Sequence, residues 1–143
     1  FTGHSGIYKT SITMWKEQPL FGFGLKSFRI KCAEILDRPG DPDRHCGSHS
    51  HNYYIELLAE AGLVGTSLMV IFFLTLLKYS FHYLKKYNQQ KNPEMNLLIP
   101  VIILFFLEIW PIKSTGSFFT TWGATFFWLN VAMLIATKTK KSP

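Results

Sequence analysis

The chain has 143 residues, 48% of them hydrophobic, 16% aromatic and 17% charged, with a formal net charge of +6. That composition excludes both a disordered segment and an ordinary soluble domain. The charge is unevenly placed: residues 1–61 carry seven Lys and Arg against seven Asp and Glu, and the surplus of six lies in the apolar second half, as eight Lys against two Glu. Basic residues flanking apolar runs belong to membrane edges. No basic stripe with interleaved aromatics marks a nucleic-acid face, so no nucleic-acid partner is expected and membrane lipids are.

Phe1 stands first, and no charged segment followed by an apolar run opens the chain, so it reads as a fragment of a longer multi-span protein without a signal peptide. Ile7, Tyr8, Ser11, Ile12, Met14 and Trp15 recur at helical spacing, which predicts an amphipathic helix within residues 1–18 lying on or near the membrane face. Gln18-Pro19 ends it, because the residue before proline avoids the αR region, and Gly22 and Gly24 then permit a turn. A short helix is predicted from Ser27 to Leu36, carrying Arg29 and Lys31. The Asp37-Arg38-Pro39-Gly40-Asp41-Pro42-Asp43 stretch is a loop by composition. Cys32 and Cys46 flank it, and a disulfide is the economical reading if the segment faces an oxidising compartment.

From Asn52 a helix can run without a breaker to Lys86, which at roughly 1.5 Å per residue is about 50 Å, well beyond a hydrocarbon core of about 30 Å. Its first turns therefore stand outside the membrane, and Gly62 and Gly65 near the crossing point are where a bend or close helix contact is easiest. Asn92, Pro93 and Glu94 form a helix-start signal before the apolar run from Leu97 to Trp110, Pro111 stops that run, and Phe118 to Ala136 is long enough for a third span. The expected fold is thus mainly α, a polytopic membrane protein. An extramembrane segment of helices and loops at 1–61 precedes a transmembrane segment at 62–143, with spans near 63–84, 94–111 and 118–136. Lys85, Lys86 and Lys91 in one loop and Lys138, Lys140 and Lys141 in the tail lie two spans apart, hence on one side, which the positive-inside rule makes cytoplasmic. Residues 1–61 are then periplasmic, in agreement with a disulfide there.

The chain is organised around the stretch from His49 to Gly65, where a His-rich polar segment turns directly into an apolar helix. An imidazole at a helix start meets the positive end of the macrodipole, which disfavours its charged form. His51-Asn52, nine residues and then Gly62-Leu63-Val64-Gly65 resembles the His-Asn…Gly-x-x-Gly signature of the O-antigen ligase family, bacterial membrane glycosyltransferases working on polyprenyl-diphosphate-linked glycans. The Pro19-Leu20-Phe21-Gly22-Phe23-Gly24 segment with Ser27-Phe28, and Trp110-Pro111 followed by Ser114-Thr115-Gly116-Ser117, are similar to further parts of that family. The resemblance covers essentially all these residues but only the C-terminal portion of a member, so the fragment alone is expected to be inactive. It implies an inner-membrane, metal-independent transfer that uses no cofactor. The donor would be a polyprenyl-diphosphate-linked glycan and the acceptor lipid A-core or, in a polymerase, another glycan; a protein O-glycosyltransferase is the remaining variant.

That chemistry needs a base for the acceptor hydroxyl and cations for the leaving diphosphate. His51 is the candidate base. Asn52 either orients it or caps the helix, and Gly22, Gly24, Gly62 and Gly65 are structural candidates. Arg29, Lys26 and Lys31 are candidate diphosphate ligands, arginine being the better bidentate partner; the alternative is a solvated face balanced by Glu34 and Asp37. The family commonly has an arginine four residues before an aromatic where this chain has His4 before Tyr8, so His4 joins the candidates. Glu56 and Glu60, at i and i+4, share a helix face; a solvated or structurally paired face is expected, with Glu60 the one placed at the substrate. Cys46, His49 and His51, with His45 nearby, offer a competing non-enzymatic reading as zinc ligands in a metal-binding or transporter fragment, although no second conventional ligand pair accompanies them.

Overall fold

The computed structural model describes residues 4–90 and 98–139, and among these it is all-helical. The helices are α1 (His4–Glu17), α2 (Phe28–Leu36), α3 (Tyr53–Gln90), α4 (Leu98–Glu108) and α5 (Thr121–Thr139). The chain forms two compact units. One comprises the residues up to Val70 together with Pro111–Thr120; the other comprises Ile71–Trp110 and the residues from Thr121 on.

In the first unit α1 packs on α2 around Ile7, Met14, Phe28, Cys32, Ile35 and Ala59, with Phe23 at the edge. Burying each of the large side chains among them, Ile7, Met14, Phe28 and Ile35, contributes about 1.5–3 kcal/mol. This corrects the expectation of a surface helix on the membrane: the Ile7, Ser11 and Met14 face of α1 is consumed by the protein's own core. The 43–50 loop is laid against the same helix by hydrogen bonds from Thr10 Oγ1 to the His45 carbonyl (2.7 Å) and between Ser11 and Ser50 hydroxyls (2.9 Å). Lys9 adds ion pairs to Asp41 and Asp43. Cys32 and Cys46 are joined by a disulfide, with Cα atoms 5.6 Å apart, which closes the Pro/Gly/Asp-rich loop.

α3 is interrupted at Gly62, whose backbone (φ 65°, ψ −169°) lies in a region open essentially to glycine alone. In an unbroken helix Leu63 N–H would bond the Ala59 carbonyl and Val64 N–H the Glu60 carbonyl. Both bonds are replaced by the turn at residues 19–24. Leu63 N donates to Pro19 O (2.8 Å) and Val64 N to Leu20 O (3.1 Å), while Ala59 O accepts from Phe23 N (3.2 Å) and Glu60 O from Gly24 N (2.9 Å). The turn thus acts as a splint across the break. Contact is close enough that a Cβ on Gly62 would run into the Leu20 carbonyl, and one on Gly22 (φ 66°) into the Glu60 carbonyl.

Tyr53–Lys85 of α3 is, among the described residues, the one helix long and apolar enough to cross a membrane, with mean hydropathy 2.1 in its most apolar window. In the second unit the rings of Phe73, Phe105 and Phe127 meet at centroid distances of 5.7–6.3 Å. α4 packs on α5 with a buried Asn130, whose amide nitrogen donates to Val101 O (3.2 Å) and whose amide oxygen accepts from Phe105 N (3.3 Å), a polar clip in an apolar helix pair. α4 has 11 residues and α5 has 19, of which Thr121–Ala136 forms a shorter apolar helix. α5 starts three residues later than expected because Phe118 belongs to the first unit, where its backbone N–H is bound by Glu56. The start signals Asn92, Pro93 and Glu94 lie outside the described residues, as do Lys91, Lys140 and Lys141.

Candidate functional site

His51 sits immediately before α3 with a left-handed backbone (φ 54°), a conformation uncommon for a non-glycine residue. Two neighbours hold it there. Its carbonyl accepts a hydrogen bond from Thr115 N (2.9 Å), and Asn52 fixes the helix start that follows. Asn52 Oδ1 accepts from Tyr54 N (3.0 Å) and Ile55 N (3.2 Å), as an N-cap does, while its Nδ2 donates to the Pro111 carbonyl (2.8 Å). Asn52 is buried, and both ends of its amide are engaged. Of the two roles expected of Asn52, these bonds show the cap, and they add a brace to the Pro111 carbonyl.

Three imidazoles gather at this point. The His51 ring lies edge-on to His4 at a centroid distance of 4.5 Å and tilted against His49 at 4.1 Å. Partial burial of His51, followed by the charges of His49 and His4, holds its pKa below the ordinary 6.5. The result is an imidazole that stays neutral and basic at lower pH than a free one. His49 in turn contacts Ser48 Oγ through Nδ1 (2.9 Å). His4 and His51, predicted as separate contributors, are thus brought together across 47 residues, a pairing that leaves no local pattern, while His49, grouped with His51 in the sequence only as a metal ligand, packs on its ring instead.

The two glutamates are buried and carry structural bonds, which corrects the solvated-face alternative. Glu60 accepts from the backbone N–H of Lys26 (2.6 Å) and of Phe28 (3.0 Å). Its carboxylate holds the start of α2 and the left-handed Lys26 (φ 62°), so the expected substrate contact of Glu60 becomes a positioning role for the segment bearing Lys26 and Arg29. Glu56 accepts from Ser117 Oγ (2.5 Å) and Phe118 N (2.7 Å), drawing in the 111–120 segment. Lys26 and Arg29 themselves are exposed, and among the described residues neither forms a salt bridge. Lys31, by contrast, is tied to Glu34 (2.7 Å) and lies over the Phe23 ring. Asn52 and Glu60 are eight residues apart on one helix, about 12 Å of rise, so the imidazole cluster and the cation-bearing segment sit at the two ends of α3's first portion.

Cys46 is committed to the disulfide, which removes the thiolate from the zinc set, and no cluster of three or more metal-ligating side chains occurs among the described residues. Gly65 lies within α3 beyond the break. What remains is a partly buried imidazole cluster at one end of a braced helical segment and, at its other end, two exposed cations on a stretch whose backbone is held by a buried carboxylate.

An all-helical fold among the described residues, one helix long and apolar enough to cross a membrane and a polar histidine cluster at its head together fit a helical membrane protein. The family model described as O-antigen ligase matches residues 4–89, and the chain belongs to that family. It is also similar to the exopolysaccharide production protein ExoQ of Rhizobium meliloti (strain 1021), 27% identical over 111 residues, covering 75% of this chain and 25% of that protein. The chain therefore spans about a quarter of the length of that curated relative. No solved structure matches it.

Proposed function

We propose that the chain is part of a multi-pass inner-membrane glycosyltransferase that moves a polyprenyl-diphosphate-linked, O-antigen-type glycan onto an acceptor hydroxyl at the periplasmic face. In the ligase reading the acceptor is lipid A-core. The observation that carries the proposal is His51: family membership together with a neutral, partly buried imidazole strained into place at the head of the spanning helix. In the step itself, a ring nitrogen of His51 takes the proton of the acceptor hydroxyl, whose oxygen forms the new bond to the sugar's anomeric carbon. The bond from that carbon to the diphosphate oxygen breaks, and its electron pair leaves with the polyprenyl diphosphate. Lys26 and Arg29 supply positive charge for the leaving group, and His4, packed on His51, is a further candidate contact for the substrate. No metal or cofactor takes part in this scheme.

A polymerase that extends the glycan is the second reading, and the name of the relative, an exopolysaccharide production protein, favours it. Three spans, with residues 1–61 periplasmic and the C-terminus cytoplasmic, fit the lysine distribution. Cysteines introduced at Pro42 and at Ser142 should then label from opposite sides of the membrane; labelling from one side overturns the topology.

The test of the chemistry compares His51→Ala with His49→Ala in the full-length protein, at matched protein level, with lipid-linked donor and each acceptor in turn. His51→Ala should lower transfer by roughly 10² to 10⁴ while insertion and donor binding persist, the usual contribution of a positioned acid–base group. Near wild-type transfer by that variant refutes the mechanism, and the acceptor that is consumed distinguishes ligase from polymerase.

A further inference from the structure

The splint turn presents an apolar surface that the protein leaves open. Leu20, Phe21 and Leu25 are 56%, 71% and 63% exposed, and Ile30 on the first turn of α2 is 65% exposed. Isolated exposed apolar residues are ordinary; four within eleven residues, rigidly held, form a surface that needs an occupant. The backbone bonds of the splint identify it. Pro19 and Leu20 are hydrogen-bonded directly to Leu63 and Val64, the first residues of the apolar run of α3, which are themselves exposed. The turn therefore stands at the depth where the spanning helix enters hydrocarbon. Its polar edges match an interface as well. Trp15 Nε1 donates to the Pro19 carbonyl (3.2 Å), and the exposed cations Lys26 and Arg29 border the apolar side chains as they would border lipid phosphates.

We propose that residues 20–25, with Ile30, are a membrane wedge: a second, non-spanning contact with the outer leaflet that sets the depth of the extramembrane unit. The splint makes such a wedge feasible, since three backbone groups of this irregular segment, and the carbonyl of Pro19 just before it, are satisfied by α3 rather than by water. It also takes up the membrane-surface role that the packed face of α1 leaves vacant. This inference depends on α3 crossing the bilayer and not on the transfer chemistry, so it stands or falls separately from the role of His51.

The experiment places a spin label at Phe21→Cys in the full-length protein, with other free cysteines replaced and the Cys32–Cys46 bridge kept, in nanodiscs of phosphatidylethanolamine and phosphatidylglycerol. A second label at Pro42→Cys, in the exposed 37–43 loop, is the aqueous reference. Phe21 is mostly exposed, so the label does not disturb the core. The expected result is strong relaxation by oxygen and weak relaxation by a water-soluble nickel chelate at position 21, with the reverse at position 42. Nickel accessibility at 21 equal to that at 42 overturns the wedge by placing the turn in water. Protection from both reagents overturns it differently, by showing that another part of the protein or a second copy covers the surface.

Discussion

Glu56 and Ser117 lie 61 positions apart in sequence and meet through a 2.5 Å hydrogen bond, with Phe118 N–H bound to the other carboxylate oxygen at 2.7 Å. This single buried carboxylate fastens the 111–120 segment to the helix that begins beside His51. Thr115 of the same segment holds the His51 carbonyl, so the brace and the candidate base are mechanically linked.

Replacing Glu56 by Ala leaves a buried backbone N–H and a hydroxyl without their acceptor and should cost about 1.5–3 kcal/mol. Ser117→Ala removes the hydroxyl's bond to Glu56 and a longer one accepted from Phe119 N (3.3 Å) but leaves the Phe118 N–H bond to the carboxylate, and should cost about 1 kcal/mol. Glu56→Gln keeps one acceptor and falls between them. Thermal unfolding of the full-length protein in detergent should show midpoints in the order wild type, Ser117→Ala, Glu56→Gln, Glu56→Ala; equal midpoints would remove the brace from the account.

Gly62→Ala should be among the most damaging single-methyl additions in the chain. It forces a side chain into a glycine-only conformation, worth about 1–3 kcal/mol, and also drives a Cβ against the Leu20 carbonyl. Gly24→Ala shares a positive φ (97°) but meets nothing within 4 Å, so only the conformational part applies. Protein level and thermal midpoint should fall further for Gly62→Ala than for Gly24→Ala.

The pH dependence follows from the lowered pKa of His51. A base with a depressed pKa remains deprotonated as pH falls below 6.5, so the acid limb of the transfer rate should lie below that of free imidazole. Removing His49 takes away a neighbouring positive charge and opens the site to water; His49→Ala should move the limb upward while leaving the plateau largely intact. The same depression affects stability. Between the unfolded value of 6.5 and the lower folded one, the unfolded chain binds more protons, so the contribution of His51 is present in full above pH 6.5 and declines as pH falls through that window. A pH–rate profile of wild type and His49→Ala decides the matter, and coincident acid limbs would sink it.

The disulfide closes a loop with a sequence separation of 14 and should contribute about 3 kcal/mol in the chain-entropy model. Reductant should lower the thermal midpoint of wild type and leave unchanged that of a Cys32→Ser, Cys46→Ser double variant. An effect of equal size in both would assign the loss to something other than this bridge.

Much of the helical order was legible before any coordinates. Pro19, the 37–43 loop, Asn52 and Pro111 are local signals, because the physics of proline, caps and turns acts within a few residues. The break at Gly62 was legible as a place of easy bending, but what fills it was not: the splint pairs residues some forty positions apart through backbone atoms, which carry no side-chain signature. For Glu56 and Glu60 the structurally paired alternative held and the solvated one did not, but the partners were hidden for the same reason. Their i, i+4 spacing says that they share a face but not what pairs with it, and their partners are backbone N–H groups and a serine supplied from 32 to 62 residues away. α1 shows the complementary ambiguity, since an apolar stripe does not say whether lipid or protein will cover it.

The splint also decides where this protein can be cut. Secondary structure alone invites a truncation just before Tyr53, where the long helix begins, but in a piece starting there the Leu63 and Val64 amides and the Ala59 and Glu60 carbonyls lose the turn that holds them apart and are free to bond one another, closing the break. The smallest piece able to hold α3 in its broken form must begin upstream of Pro19. A fusion joint or protease site placed between residue 24 and Tyr53 is tolerable only if both sides stay associated. For expression and for directed insertion, the boundary that matters is therefore set by a turn more than thirty residues before the helix it completes.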